Sequence, residues 1–365
     1  MIKVILGIAL AALIYTYAGY PSILWLVNFR RKRKSFARSF EPTVSLIIPA
    51  YNEADRISSK VRNSLALDYP SSKFEIFLVS DGCTDDTIDR AITASDGTVK
   101  ILRLPHRGKL HAMNVAIQHA RGEILVFSDV SATLNRHAIR YLVRHYVDRK
   151  IGVVTGAYSL ARDACTLDKA YWRYEAFVTS RESDLGILSA VHGALYSVRR
   201  SVYPAPQESF INDDDVIPVL LRSRGFRVVY EPEAIAIEAE LRPPNFAQRV
   251  RSFAGIFQIC IAYLSLTIPL TAAAVFSFVS SKVLRLLTPV FLVAVLCSSA
   301  LLARRPMYSV FLGLQLAFYA LAVFGVGNRI RSPLALAPYY FCMRHAPIPI
   351  AVYHAIFGFR RMKWR

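Results

Sequence analysis

Three aspartates stand in a row in the stretch FINDDDVIP, at Asp213, Asp214 and Asp215, inside a chain of formal charge +19. A carboxylate within hydrogen-bond reach of a hydroxyl can take its proton, and such a general base contributes about 10² to 10⁴-fold in rate. Adjacent carboxylates repel, so one of the three carries a raised pKa, which suits a base. The run also precedes an apolar helical stretch, VIPVLLRSRG. A helix N-terminus favours acids by about 0.3–1 kcal/mol each, so Asn212 and Asp213 read equally well as caps, and Asp215 as a solvated first-turn residue. Two further acids follow apolar runs, Asp81 in SDGCTDDT and Asp129 in SDVSA, and the pair Gly108-Lys109 follows a third run.

Those positions need a scaffold that brings them together. VSLIIP (Val44–Pro49), FEIFLVS (Phe74–Ser80), VKILRL (Val99–Leu104) and EILVFSD (Glu123–Asp129) are short apolar runs separated by the helical stretches EADRISSKVRNSLAL, TIDRAITA and KLHAMNVAIQHA, with HAIRYLVRHYV after the last. Continuous apolar strands between helices predict a parallel sheet covered on both faces, a doubly wound α/β domain. Ligands in such sheets bind at the carboxyl ends of the strands. PAYNE (Pro49–Glu53), the Asp81 segment, PHRGK (Pro105–Lys109) and the Asp129 segment all fall there. Asp81 taken singly could be a helix N-cap; two acids and a Gly-Lys at matching strand ends form a set. No G-x-G-x-x-G follows the first strand and no G-x-x-x-x-G-K-[ST] occurs, which excludes the dinucleotide fingerprint and the ordinary P-loop.

Hydrophobic residues make up 54% of the 365 positions and charged ones 19%, too apolar a balance for an ordinary soluble enzyme. The excess sits in residues 1–29 and beyond about residue 253. The first segment is of span length, lacks a clear cleavage site and meets RRKRK at Arg30–Lys34, so it reads as a retained anchor with the following domain on the cytoplasmic side. Five scattered cysteines, never spaced C-x-x-C, fit neither a disulfide framework nor a zinc site and suit a reducing compartment. The basic excess carries no nucleic-acid module. Anionic membrane lipid, at Arg30–Lys34 and Arg360–Arg365, and an anionic small substrate both remain as partners.

Five stretches in order, VSLIIPAYNEA, FLVSDGCTDDT, HRGKLHAMN, LVFSDVSATL and INDDDVIPVLLRSRGFRVVYEPEA, together resemble the membrane-embedded glycosyltransferases of family 2. The resemblance covers about residues 20–260. It implies a GT-A domain with a mixed, mainly parallel sheet, flanked by N- and C-terminal transmembrane helices. It further implies inverting transfer from a UDP-sugar to a growing polysaccharide or a lipid-linked acceptor at the inner membrane. A glycolipid synthase of the ceramide glucosyltransferase kind and a catalytically inactive export scaffold are the alternatives. By the same resemblance Ala50, Tyr51, Glu53 and Asp81 look like a uridine pocket, and Lys109 looks placed near the diphosphate. Asp129 corresponds to the first acid of an Asp-x-Asp signature whose second acid is here Ser131, a metal contact in the family. Asp214 corresponds to the catalytic base, with Asp213 second. Gln248 and Arg251 match the first part of a Gln-x-x-Arg-Trp motif that here ends in Ser252, and His192 with Gly193 stands where the family holds its acceptor. Mg²⁺ or Mn²⁺ is the implied cofactor, and Mg²⁺ characteristically binds through one or two carboxylates plus substrate phosphates.

The implied organisation is an anchor at 1–29, a catalytic domain at 40–240, an interface-helix region at 241–279 and a membrane domain at 280–365. Leu284–Ala303 and Met307–Val326 are long enough to span, while Phe253–Phe278 could span or lie in the interface, and the interface is preferred. The last apolar stretch holds Arg344, His345 and several prolines, and reads as two short halves meeting near Arg344. That charge marks either a functional site or a side chain snorkelling to a nearby interface. Tyr171, Trp172 and Tyr174 in YWRYE could stack on a sugar or pack in a core.

Overall fold

The computed structural model describes residues 1–28, 40–162, 164–238, 246–265, 272–325 and 333–357; the basic clusters Arg30–Lys34 and Arg360–Arg365 lie outside them. An α/β domain is built on eight strands: β1 (Val44–Ala50), β2 (Phe74–Asp81), β3 (Lys100–Leu104), β4 (Ile124–Phe127), β5 (Ala132–Leu134), β6 (Ile151–Leu160), β7 (Tyr196–Arg199) and β8 (Arg227–Glu238). They form one sheet in the order β3-β2-β1-β4-β7-β6-β8-β5. The β3-β2-β1-β4 half is parallel, as the alternating pattern predicts. β7 enters antiparallel between β4 and β6, β6 and β8 run parallel, and β5 closes the edge antiparallel to β8.

Every residue of β1 is buried. The pleat sends Val44, Leu46 and Ile48 into one core and Ile47 into the other, and Ile124 and Val126 part from Leu125 and Phe127 in the same way. This explains why the strands read as unbroken apolar runs: both faces are covered. The first core packs helices Ala54–Leu65, Thr87–Ser95 and Ala138–Val143. The second packs Lys109–His119 and Asp213–Ser223, together with Ile259 and Tyr263 of the helix Phe246–Ser265.

Around this domain lie apolar helices. Ile2–Asn28 and Pro306–Gly325 are long and apolar enough to cross a membrane. The first contains a π turn at Tyr15–Gly19, just before Pro21, whose missing N–H disturbs the regular ladder. The span expected at Leu284–Ala303 is a bent pair, Ala272–Leu286 and Thr288–Leu302, meeting at 57°. The first of these helices runs through the expected boundary at 279/280. Phe253–Phe278 is two helices, the first ending at Ser265 and the second starting at Ala272. The last stretch is broken as expected, into Pro333–His345 and Pro347–Phe357, because Pro347 disfavours helical backbone at Ala346.

The helix Thr166–Leu185 is the seam between the two parts. Tyr20 and Leu24 of the N-terminal helix pack on its Val178 and on Ile187 just beyond it, and the Tyr20 hydroxyl donates to Glu182 at 2.5 Å.

Candidate active site

The strand ends converge as the sequence predicts, and the loops are tied together by short polar side chains. Asn52, at positive φ after β1, donates from Nδ2 to the Thr84 hydroxyl at 3.2 Å and accepts the Thr84 N–H at 2.8 Å. Asp81 at the end of β2 is fully buried. Its carboxylate accepts N–H donors from Arg107 at 2.8 Å and Gly108 at 3.0 Å. It therefore caps no helix; it fixes the PHRGK loop, where Gly108 takes φ 109° and the helix Lys109–His119 begins. Asp81 and Ala50 are both buried. Tyr51, stacked on His106 at 4.2 Å, and Asn52 and Glu53 are the more open residues at this strand end. Burial holds the Glu53 carboxyl above the usual carboxylate range, with Asp129 and Asp85 adding to it and Arg56 opposing.

Lys109 is the hub of the charge cluster. Its Nζ lies 2.8 Å from Asp129 Oδ1 and 3.1 Å from Asp213 Oδ1. Burial alone would lower this ammonium; Asp129, Asp213 and Asp214 overcome it and raise its pKa, so it stays charged. Asp213 also accepts the Tyr196 hydroxyl at 2.6 Å. Asn212 holds the N-cap position, yet its side chain donates to Asp215 at 2.9 Å and to the Ser252 carbonyl at 3.0 Å, so neither Asn212 nor Asp213 acts as a cap. Asp215 departs from expectation most clearly. It is buried, not solvated, and pairs with Lys282 at 3.1 Å. A buried ammonium far along the chain requires a counter-charge, and Asp215 supplies it.

Asp214 is the one member of the run with solvent access, and its carboxylate takes no hydrogen bond or ion pair from any described residue. Burial first, then the charges of Asp215 and Asp213, push its pKa up to about 8, with Lys109 opposing. A Cβ built on Gly193 would stand 3.2 Å from Asp214 Oδ2 and 3.5 Å from Asp129 Oδ2. The two acids thus face each other across a glycine that leaves the space between them free. Arg251, partly buried on the helix Phe246–Ser265, feels the charges of Asp213, Asp214 and Asp129, which oppose the lowering of its pKa by burial, whereas Gln248 one turn earlier is exposed.

His192, beside Gly193, stacks on Tyr158 at 4.1 Å and meets the edge of Trp172 at 5.1 Å. Its Nδ1 accepts the Ala194 N–H, and burial lowers its pKa, so the ring is neutral at physiological pH. Of the aromatic trio, only Trp172 reaches this cluster; Tyr171 lies under Arg344, and Tyr174 packs in the seam.

Two residues escaped the sequence reading. Glu238, at the end of β8, sits opposite Ala132 across the β5–β8 pairing. It accepts the Ser131 hydroxyl at 2.6 Å and the Tyr158 hydroxyl at 2.5 Å. Where the motif lacks its second acid, a carboxylate therefore arrives from the neighbouring strand, and Ser131 is engaged with it. The sole signal was an acid ending a strand-like run. Lys60 is buried beneath the Asp129 loop, its Nζ 2.6 Å from both the Ser128 hydroxyl and the Ala132 carbonyl. Burial lowers its pKa to about 7, with Asp129 opposing. Replacing it as Lys60→Met removes both ties while suiting the apolar surroundings. The buried Ala132 carbonyl and Ser128 hydroxyl each lose a partner, so the protein should be destabilised by about 1–3 kcal/mol; a melting curve checks this.

Among the described residues no three His, Cys, Asp or Glu side chains cluster as a ready-made metal cage. Asp129, whose side chain is 36% exposed, and Glu238 instead offer sparse oxygen ligands. That fits a hard divalent cation completed by substrate phosphates and water.

A glycosyltransferase like family 2 model matches residues 42–254. The poly-beta-1,6-N-acetyl-D-glucosamine synthase of Staphylococcus aureus (strain MSSA476) is 24% identical over 270 residues, covering 67% of this chain and 65% of that protein. A probable glycosyltransferase, YdaM of Bacillus subtilis (strain 168), is 25% identical over 214 residues, 54% of this chain and 51% of its own length. The chain thus spans about half to two thirds of these relatives. Among solved structures, the mannosyltransferase PcManGT from Pyrobaculum calidifontis, in complex with GDP-Man and Mn²⁺, matches with a TM-score of 0.77 at 21% identity, covering 97% of this chain and 99% of its own. That likeness runs over the apolar helices as well as the sheet. With the family match covering more than half of the chain and the strand-end acids in place, the chain belongs to glycosyltransferase family 2 and has the GT-A fold.

Proposed function

We propose that the enzyme moves a sugar, with inversion, from a UDP-sugar to a growing polysaccharide or lipid-linked acceptor at the cytoplasmic face of a membrane. The observation that carries this reading is that Asp214, open and without a partner among the described residues, stands opposite Asp129 across Gly193. In the transfer, an acceptor hydroxyl oxygen bonds to the anomeric carbon as the bond to the diphosphate oxygen breaks. The hydroxyl proton passes to Asp214, and the electron pair leaves on the diphosphate. Lys109 and Arg251 hold fixed positive charge where that negative charge develops. His192, Tyr158 and Trp172 form the aromatic wall beside Gly193 for the acceptor sugar. Asp129 and Glu238 would hold a divalent cation, which when bound neutralises the leaving diphosphate. Arg30–Lys34 after the first apolar helix supports the cytoplasmic orientation of the catalytic domain.

Purified protein in detergent tests this directly. Chelation should abolish transfer, and Mg²⁺ or Mn²⁺ should restore it. Donors to compare are UDP-N-acetylglucosamine, UDP-glucose and GDP-mannose, the last because the mannosyltransferase of the same fold holds it. Full turnover in chelator would overturn the metal assignment. Turnover with GDP-mannose alone would overturn the UDP reading.

A further inference from the structure

Among the described residues, the seam between the catalytic domain and the apolar helices holds more positive charge than it neutralises. Arg344, in the last turn of Pro333–His345, donates from Nη2 to Asp168 Oδ1 at 3.1 Å, and its guanidinium carbon lies 3.2 Å from the Tyr171 ring centroid. Both partners belong to the first turns of Thr166–Leu185. Arg249, from Phe246–Ser265, comes within electrostatic reach of Arg344, Asp168 and Tyr171. Its Nε is buried without a hydrogen-bond partner, and it makes no ion pair with any described residue. Two guanidiniums therefore share one carboxylate. Arg285 nearby does not change this balance, because it is matched by Glu175 at 2.7 Å.

A buried guanidinium N–H without a partner among the described residues is costly, and charge set among membrane helices marks a functional site by default. The guanidinium fork suits a phosphate, which accepts two parallel N–H donors. The location fits too. Next to Tyr171, Trp172 turns toward His192, so an aromatic row links this arginine pair to the acids at Gly193.

We propose that Arg249 and Arg344 form a site for a phosphate group, carried on a lipid headgroup or a lipid-linked acceptor, at the membrane edge of the active site. The proposal rests on the membrane placement read above but not on sugar transfer, and binding alone tests it. Native mass spectrometry of the full chain in detergent, titrated with dioleoyl phosphatidic acid or with dioleoylglycerol, reads retention of the phosphate-bearing lipid. The unsubstituted protein should retain phosphatidic acid and not dioleoylglycerol. Arg249→Gln and Arg344→Gln should each weaken retention about tenfold or more, the worth of a hydrogen bond to a charged group, while UDP binding stays unchanged as the control for folding. Arg249→Lys, which keeps charge but loses the fork, should fall between and serves if the Gln variant does not fold. Asp168→Asn, which removes the competing carboxylate, should retain the lipid at least as well as the parent. A competition arm separates sources: displacement by millimolar inorganic phosphate would show that the group is bound free of a lipid tail and overturn the lipid-borne assignment. Equal retention of phosphatidic acid by the parent and by both Gln variants would overturn the site. Loss of transfer in Asp214→Asn with intact lipid retention would show the two readings to be independent.

Discussion

Asp214→Asn should leave nucleotide affinity close to that of the parent and lower transfer by at least about 10²-fold, the lower end for base catalysis. The substitution keeps size and removes the proton acceptor. Its neighbours cannot stand in: Asp213 is held by Lys109 and Tyr196, and Asp215 by Lys282 and Asn212. The pH profile gives a second reading. A base works only when ionised, and Asp214 has a pKa of about 8, set by burial and by its two neighbours in the run. In the free enzyme kcat/KM should therefore rise with pH and level off above about 8. A profile flat from pH 6 to 9, or a fully active Asp214→Asn beside a dead Asp213→Asn, would move the base to another residue of the run.

The sheet half that carries the chemistry was legible because parallel strands buried on both faces leave unbroken apolar runs between helices. Asp81 and Asp129 were legible because they close those runs, and Asp213–Asp215 because three acids stand before an apolar helical stretch. What escaped was set by pairing across long stretches of chain. Glu238 reaches Ser131 only through the antiparallel β5–β8 register, and β5 is three residues long, too short to announce itself. Lys60 sits in an amphipathic helix whose composition gives no sign that one lysine points inward. Asp215 looked solvated since first-turn acids usually are, and its true partner lies in a segment assigned to the membrane part. Asp81 was legible as an acid ending a strand, but not that its carboxylate binds the Arg107 and Gly108 amides, a contact between loops far apart in the chain.

The Asp215–Lys282 pair joins the catalytic helix to the bent helix leading into the membrane part, and Lys282→Met should expose its worth. With its cation removed, Asp215 remains buried with, among the described residues, only the Asn212 amide to bond it. Breaking a buried ion pair from one side is destabilising by about 3–5 kcal/mol, because the surviving charge is left uncompensated. Replacing both members, as Asp215→Asn with Lys282→Met, removes the orphan charge and should recover most of that loss. Chemical unfolding of the three variants in detergent, read by the tryptophan and near-ultraviolet signals of the catalytic domain, gives the coupling energy as a double-mutant cycle. Activity reads the same pair from the other side. Asp215→Asn removes the first of the like charges that raise Asp214, so the rising limb of its pH profile should move to lower pH. Lys282→Met leaves that charge in place without its counter-ion and should move the limb to higher pH. Shifts in the same direction would mean that Asp215 does not act on Asp214 through charge. Single and double variants of equal stability would mean that the pair does not hold the catalytic helix to the membrane part.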